Sequence, residues 1–142
     1  MSSDTDKNPV KVVLDNNFLI SAIAFGGKPK EVLDLVLEEK IIALTSPILL
    51  AEFKEVYRKK FSLLEEDFEL TVRSIEEIFE ILQPKKTLHI LNDEDDNRVL
   101  EAAVEGKCSF IVTGDADLLT LGTFRKIIIL TPSDFLQKLG NN

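Results

Sequence analysis

Four carboxylates fall just beyond short apolar runs of the chain. Asp15 follows 10–14 (VKVVL), and Asp115 follows 109–113 (SFIVT) after Gly114. Asp96 opens a helical stretch entered from 87–91, and Glu52 lies just over one turn into the stretch behind 41–44 (IIAL). Each has an ordinary structural explanation. Asp15, Asp93 and Asp115 suit helix N-caps, and Asp95 and Asp96 suit the positive end of a helix dipole. Glu52 shares a helical face with Leu49, Phe53 and Val56, so it is directed toward apolar neighbours. A carboxylate there needs a cationic partner or a metal. Taken together the four are harder to explain as caps. Converging carboxylates repel unless something neutralises them, and Arg98 is the cationic side chain expected beside them. Oxygen donors without His or Cys favour a hard cation, magnesium or manganese (Mg2+ or Mn2+), over zinc. One or two such ions serve phosphoryl chemistry: one activates water and the other steadies the leaving oxygen. The reaction these residues point to is metal-dependent phosphodiester hydrolysis.

The elements that must position these acids follow from the hydrophobic pattern. Short, continuously apolar strands are expected at 10–14, 41–44, 109–113 and 127–130, with a weaker fifth at 87–91. They alternate with helices, which is the pattern of a parallel sheet covered on both faces. The expected architecture is a single α/β domain over residues 10–139, a three-layer α/β/α fold with a parallel sheet of four or five strands. Ligands of such a sheet collect beyond the carboxyl ends of its strands, where the four acids fall. Helices are expected at 18–25, stopped by Gly26-Gly27, and at 29–39, with Pro29 in the first turn. The next runs from the Ser46-Pro47 start to Lys60. Another runs from Ser62, in a capping box with Glu65, to Leu82, and is ended by Pro84. These two consecutive helices break the alternation and form a hairpin at one side of the sheet. A helix at 92–105 stops at Gly106, and a last one begins at Thr131-Pro132 and ends at Gly140.

The 142 residues fit one domain, and a composition of 44% hydrophobic and 30% charged residues is that of a folded globular protein. No apolar stretch approaches the ~20 residues that span a bilayer, so no membrane association is expected. Residues 1–9 are polar, lack the apolar core of a secretory leader, and read as a tail. The single cysteine, Cys108, forms no internal disulfide and no thiolate zinc site, and points to a reducing, cytoplasmic compartment. The net charge is −8. That balance excludes a basic nucleic-acid coat protein, but not a nuclease whose carboxylates hold cations. Lys54, Arg58, Lys59 and Lys60 form either a solvated helix face or a lip that contacts RNA phosphates. The single histidine, His89, reads as a strand-edge side chain. The apolar stripe from Leu64 to Leu82 reads as core, and any surplus would serve a homodimer or an antitoxin peptide.

Several segments resemble the PIN domain family, in particular its prokaryotic toxin-like group. Val12-Val13-Leu14-Asp15-Asn16-Asn17 is similar to the opening motif, a strand ending in Asp-x-Asn. Ser46-Pro47 followed by Glu52 is similar to the second acidic motif. Asp93-Glu94-Asp95-Asp96-Asn97-Arg98-Val99-Leu100, with Ala102-Ala103, is similar to the third. The run from Phe110 to Leu119, with Thr113-Gly114-Asp115-Ala116-Asp117, resembles the fourth, and Ile129 to Leu136 resembles the group's C-terminus. The resemblance spans about Val10 to Leu139. It implies a magnesium- or manganese-dependent ribonuclease, often the toxin of a toxin–antitoxin pair. Asp15, Glu52, Asp96 and Asp115 would be its catalytic acids, and Asp15, Asp96 and Asp115, with Asp117 as an accessory, its metal ligands. Asn17 would orient Asp15 through a hydrogen bond, and Thr113 would hold the rim or contact substrate. Asn16 departs from the family, which often has Thr there. Two alternatives share these acids: a catalytically silent RNA-binding or protein-interaction module on the same fold, and a phosphoaccepting receiver domain. The receiver needs a lysine after a late strand, where this chain has Gly114-Asp115 and Thr131-Pro132.

Overall fold

Residues 9–61 and 65–140 are described by a computed structural model. The expected tail at 1–9 and the Ser62 capping box lie almost wholly outside these residues.

Strand β1 (Val10–Leu14) shows how the sheet is built. Val12 and Leu14 pack into one apolar layer and Val13 into the other, so the last three positions of this run are buried on both faces, and Lys11 is its one polar side chain. β2 (Ile41–Thr45), β4 (Phe110–Val112) and β6 (Ile127–Leu130) follow the same rule. On one face lie α1 (Asn16–Ala24), α2 (Gly27–Leu37) and α7 (Pro132–Gly140), together with α3 (Pro47–Lys60) and α4 (Glu65–Ile78). On the other lie α5 (Glu94–Glu105) and the short α6 (Ala116–Leu121). The result is the expected three-layer α/β/α arrangement.

The central sheet has six strands in the order β3-β2-β1-β4-β6-β5. Every pairing is parallel except that of β5 with β6. Four or five strands were expected. The additions are β3 (Glu80–Ile81) and β5 (Thr123–Phe124), two residues each and too short to leave a pattern. β3 also corrects the helix expected to reach Leu82. α4 closes at Phe79, whose N–H reaches the Ile75 carbonyl, and the chain then turns into the sheet beside Leu44 and Thr45.

The strand expected at 87–91 does not form. Its backbone N–H groups are taken by side chains of α5 instead of a neighbouring strand. Leu88 N donates to Glu101 Oε2 at 2.8 Å, and Ile90 N and Leu91 N donate to Asn97 Oδ1 at 3.0 and 2.8 Å. Asn97 Nδ2 in turn donates to the Leu91 carbonyl at 2.8 Å. The segment is therefore pinned along the helix that carries Asp96. His89, expected at a strand edge, is exposed on this segment, 3.8 Å from Glu94.

The chain moves from β1 outward to β2 and β3, then returns to place β4 on the other side of β1. The carboxyl ends of β1 and β4 are thus the point where the winding reverses, which is where open α/β sheets form their crevices. Asp15 N extends the pairing by one more bond, to the Val112 carbonyl at 3.1 Å.

Gly106 closes α5 against the sheet. A Cβ there would overlap Leu44 Cδ2 and lie 3.0 Å from Leu82 Cδ2. We expect Gly106→Ala to destabilise the protein by about 1–3 kcal/mol in urea unfolding, through overpacking rather than backbone strain. A neutral result would mean that Leu44 and Leu82 repack freely.

Candidate metal centre

Four elements deliver acids to the crevice. Asp15 ends β1, Glu52 faces inward from α3, Asp96 sits in the first turn of α5, and Asp115 caps α6 behind β4. With Asn16, Asn17, Val56, Asp93 and Asp95 they line one cavity of about 170 Å3. Carboxylate oxygens of Asp96, Asp115 and Asp117 lie within 4.8 Å of one another. Asp117 is exposed at the mouth of this group, Asp115 half-buried, and Asp96 only 6% exposed.

The local causes are readable. Asp93 is the N-cap of α5, accepting from Asp95 N at 2.8 Å, and this sets Asp96 at the third helical position, facing in. Asp115 accepts from Leu118 N at 3.0 Å, so it caps α6 while its carboxylate stays at the crevice. The capping and site readings of these acids are therefore compatible. Ser46 caps α3 and Pro47 begins it, and Glu52 then falls on the half-buried side beside fully buried Phe53.

The polar contacts hold Asp15 and Glu52 differently from expectation. Thr113 Oγ1 donates to Asp15 Oδ2 at 3.0 Å while accepting from Asp115 N at 2.9 Å, so one fully buried hydroxyl links two of the acids. Asn17, expected to orient Asp15, is exposed at the opening. The buried amide is Asn16, whose Nδ2 donates to Glu52 Oε1 at 2.7 Å and to the Leu49 carbonyl at 2.9 Å. Asn16 is the residue missed in the sequence. Helical phase could have found it, because residues 16, 19, 20 and 23 share a face that carries Leu19, Ile20 and Ile23.

Among the described residues, no cation neutralises the crevice. Arg98 turns away to Glu101 at 2.7 Å, to Glu94 at 3.5 Å and to the Leu88 carbonyl at 3.2 Å. Lys54 pairs with Glu76 at 3.6 Å, and Arg58 pairs with Glu65 at 2.8 Å while lying over the Phe68 ring. These contacts tie α3 to α4 as the expected hairpin. Lys59 and Lys60 are exposed at the end of α3.

Burial and mutual repulsion therefore dominate the titration of the acids. Burial pushes Glu52 up to about 7, helped by a hydrogen bond shared with Asp95 and opposed by Asn16. Burial pushes Asp96 up to about 7 as well, helped by a hydrogen bond shared with Asp115 and by the charges of Asp115, Asp93 and Asp15. Asp15 is raised by burial, against the lowering effect of Thr113. Asp96 Oδ2 is buried with no hydrogen-bond partner. An orphaned carboxylate oxygen facing other carboxylates fits a divalent cation with oxygen ligands.

Residues 11–117 match the PIN domain family. The chain belongs to it. The matched stretch of this PIN domain runs from β1 through Asp117 and contains all the acids of the crevice. An uncharacterised protein of Methanocaldococcus jannaschii is 33% identical over 94% of both chains. Among solved structures, VapBC2 from Rickettsia felis, bound to a DNA fragment from its promoter, superposes with a TM-score of 0.61 at 18% identity. That likeness covers 84% of this chain and 97% of the other. The PIN domain endonuclease Utp24 superposes with a TM-score of 0.52 at 23% identity, over 87% of this chain and 85% of the other. Both are likenesses of fold.

The raised acids give the metal-free protein a defined pH dependence. Between their ordinary values, 3.8 and 4.5, and about 7, the folded state binds more protons than the unfolded chain. Stability contributed by the neutral acids is therefore complete below pH ~4 and is lost as pH rises through ~7. Asp96→Asn removes one charge, and in chelator at pH 8 we expect it to exceed the parent by roughly 1–2 kcal/mol in urea unfolding. At pH 4 the gap should close. Identical pH profiles for the two proteins would refute this account of the cluster.

Proposed function

We propose that this PIN domain is a divalent-metal-dependent ribonuclease that hydrolyses RNA phosphodiester bonds by attack of water. The observation that carries the reading is the unpartnered, buried Asp96 oxygen in a crevice of acids that, among the described residues, no Lys or Arg lines. Asp15, Asp96 and Asp115 would hold the cation, with Asp117 at the mouth, and magnesium or manganese suits such an all-oxygen set. When bound, the cation supplies compensation for charge developing at phosphorus and lowers the pKa of water.

The chain's own side chains do the rest. Thr113 holds one oxygen of Asp15 and so leaves the other for the crevice. Asn16 fixes Glu52, which can take up or release a proton near neutral pH. A second hollow of about 420 Å3 shares Asp15 and Asp115 with the acid cavity and continues past Asn17, Ser21 and Phe18. A strand lying there sets its phosphodiester over the acids, with Asn17 and Ser21 as hydrogen-bonding groups. Lys59 and Lys60 are the α3 cations left for outlying phosphates, since Lys54 and Arg58 are bound to α4.

In the cell the reading extends to the toxin of a toxin–antitoxin pair, acting on RNA in the cytoplasm. Exposed Leu70, Ile78 and Ile81 on α4 and β3 offer an apolar surface for an antitoxin or a second copy. No helix among the described residues is long and apolar enough to cross a membrane.

Incubation with end-labelled single-stranded RNA tests the chemistry. Cleavage should require magnesium or manganese, stop in chelator, and leave 5′-phosphate ends. Asp15→Asn and Asp115→Asn should each lower the rate by about 100-fold or more. Asn16→Ala should lower it by roughly 10-fold while keeping the metal requirement, because Asn16 only positions Glu52. Cyclic 2′,3′-phosphate ends, or cutting that survives chelation, would overturn the mechanism. RNA bound but never cut in manganese would make the chain a binding module.

A further inference from the structure

A third hollow lies at the opposite end of the sheet, where β4 and β6 begin. It has a volume of about 380 Å3 and is lined by Lys107, Ser109, Arg125 and Lys126 over Ala103, Val104, Cys108 and Ile127. No carboxylate lines it, in a chain whose net charge is −8. Among the described residues none of its three cations makes an ion pair, whereas Lys54, Arg58 and Arg98 are each committed to a carboxylate. Arg125 is held 5.0 Å over the Phe124 ring, which fixes its direction.

The backbone adds an independent observation. Lys107, Arg125 and Lys126 have φ of 53°, 49° and 71°. They account for three of the four non-glycine residues at positive φ among the described residues. Arg125 and Lys126 form the tight turn between β5 and β6, where Asn-Gly is the favoured pair. Lys107 takes the left-handed position behind α5 because Gly106, pressed against Leu44, keeps helical angles. Three cations thus stand where small or flexible residues are conformationally cheaper, and all three converge on one hollow.

The geometry points to a binding site for the phosphate of a nucleotide, whether free or at the end of an RNA chain. The cations and the Ser109 hydroxyl suit the phosphate oxygens. The apolar floor suits a ribose or base, and the volume lies in the range of small-ligand sites. This site rests on neither the acidic crevice nor its metal.

The test is an NMR titration of the full chain in chelator with inorganic phosphate, adenosine 5′-monophosphate and a short 5′-phosphorylated RNA. Amide shifts are expected at Lys107, Ser109 and 125–127 with the nucleotide or the RNA. Saturation by the mononucleotide identifies a free ligand, and saturation by the RNA alone identifies a chain end. Replacing Arg125 with Asn and Lys126 with Gly relieves the turn, so this variant should melt at the parent's temperature or higher while binding roughly 10-fold more weakly. A control carrying Lys40→Gln and Arg73→Gln makes the same change in net charge and should bind like the parent. No shift with any probe, shifts with inorganic phosphate only, or equal binding by the turn variant would each overturn the assignment.

Discussion

Repulsion among carboxylates that the fold forces together is the constraint on which this PIN domain's crevice depends. Parallel pairing of β1 with β4 brings Asp15 and Asp115 to one point, and capping of α5 by Asp93 turns Asp96 toward them. Among the described residues no cation stands at that point. Arg98, the nearest candidate in sequence, is held by its helical neighbours Glu94 and Glu101. The cluster therefore exists either partly protonated or around a metal, and the sheet and helices on both sides must hold it in the meantime. That burden falls on the two apolar layers, which leave the central strands no exposed face.

Much of this was legible in the sequence. The runs at β1, β4 and β6 are apolar, Lys11 apart, because both faces of the sheet are covered, and that requirement is visible residue by residue. Ser46-Pro47 and Asp93 announce their helices through local chemistry that needs no knowledge of the fold. What was not legible depends on tertiary partners. β3 and β5 are two-residue pairings whose existence is decided by Leu44, Thr45, Ile127 and Ile128 across the gap. The 87–91 segment has strand-like apolar content, yet Asn97 and Glu101 capture its N–H groups before another strand can.

The choice between Asn16 and Asn17 is subtler. Adjacent amides differ only in helical phase, and the motif resemblance favoured the second. Packing of Leu19 and Ile20 rotates the first inward, toward Leu49 and Glu52. The basic run on α3 left two readings open for a related reason. Charge is visible in a sequence, but whether a charge is already satisfied is not, and α4 satisfies two of the four.

The two outermost strands, β3 and β5, are each only two residues long. Their brevity matters beyond the crevice. Long flat borders of unpaired N–H and C=O groups invite other chains to add on and start fibrils. Here the ladder tapers to almost nothing on either side, so a protein strained by its own negative charge still offers little template for self-association.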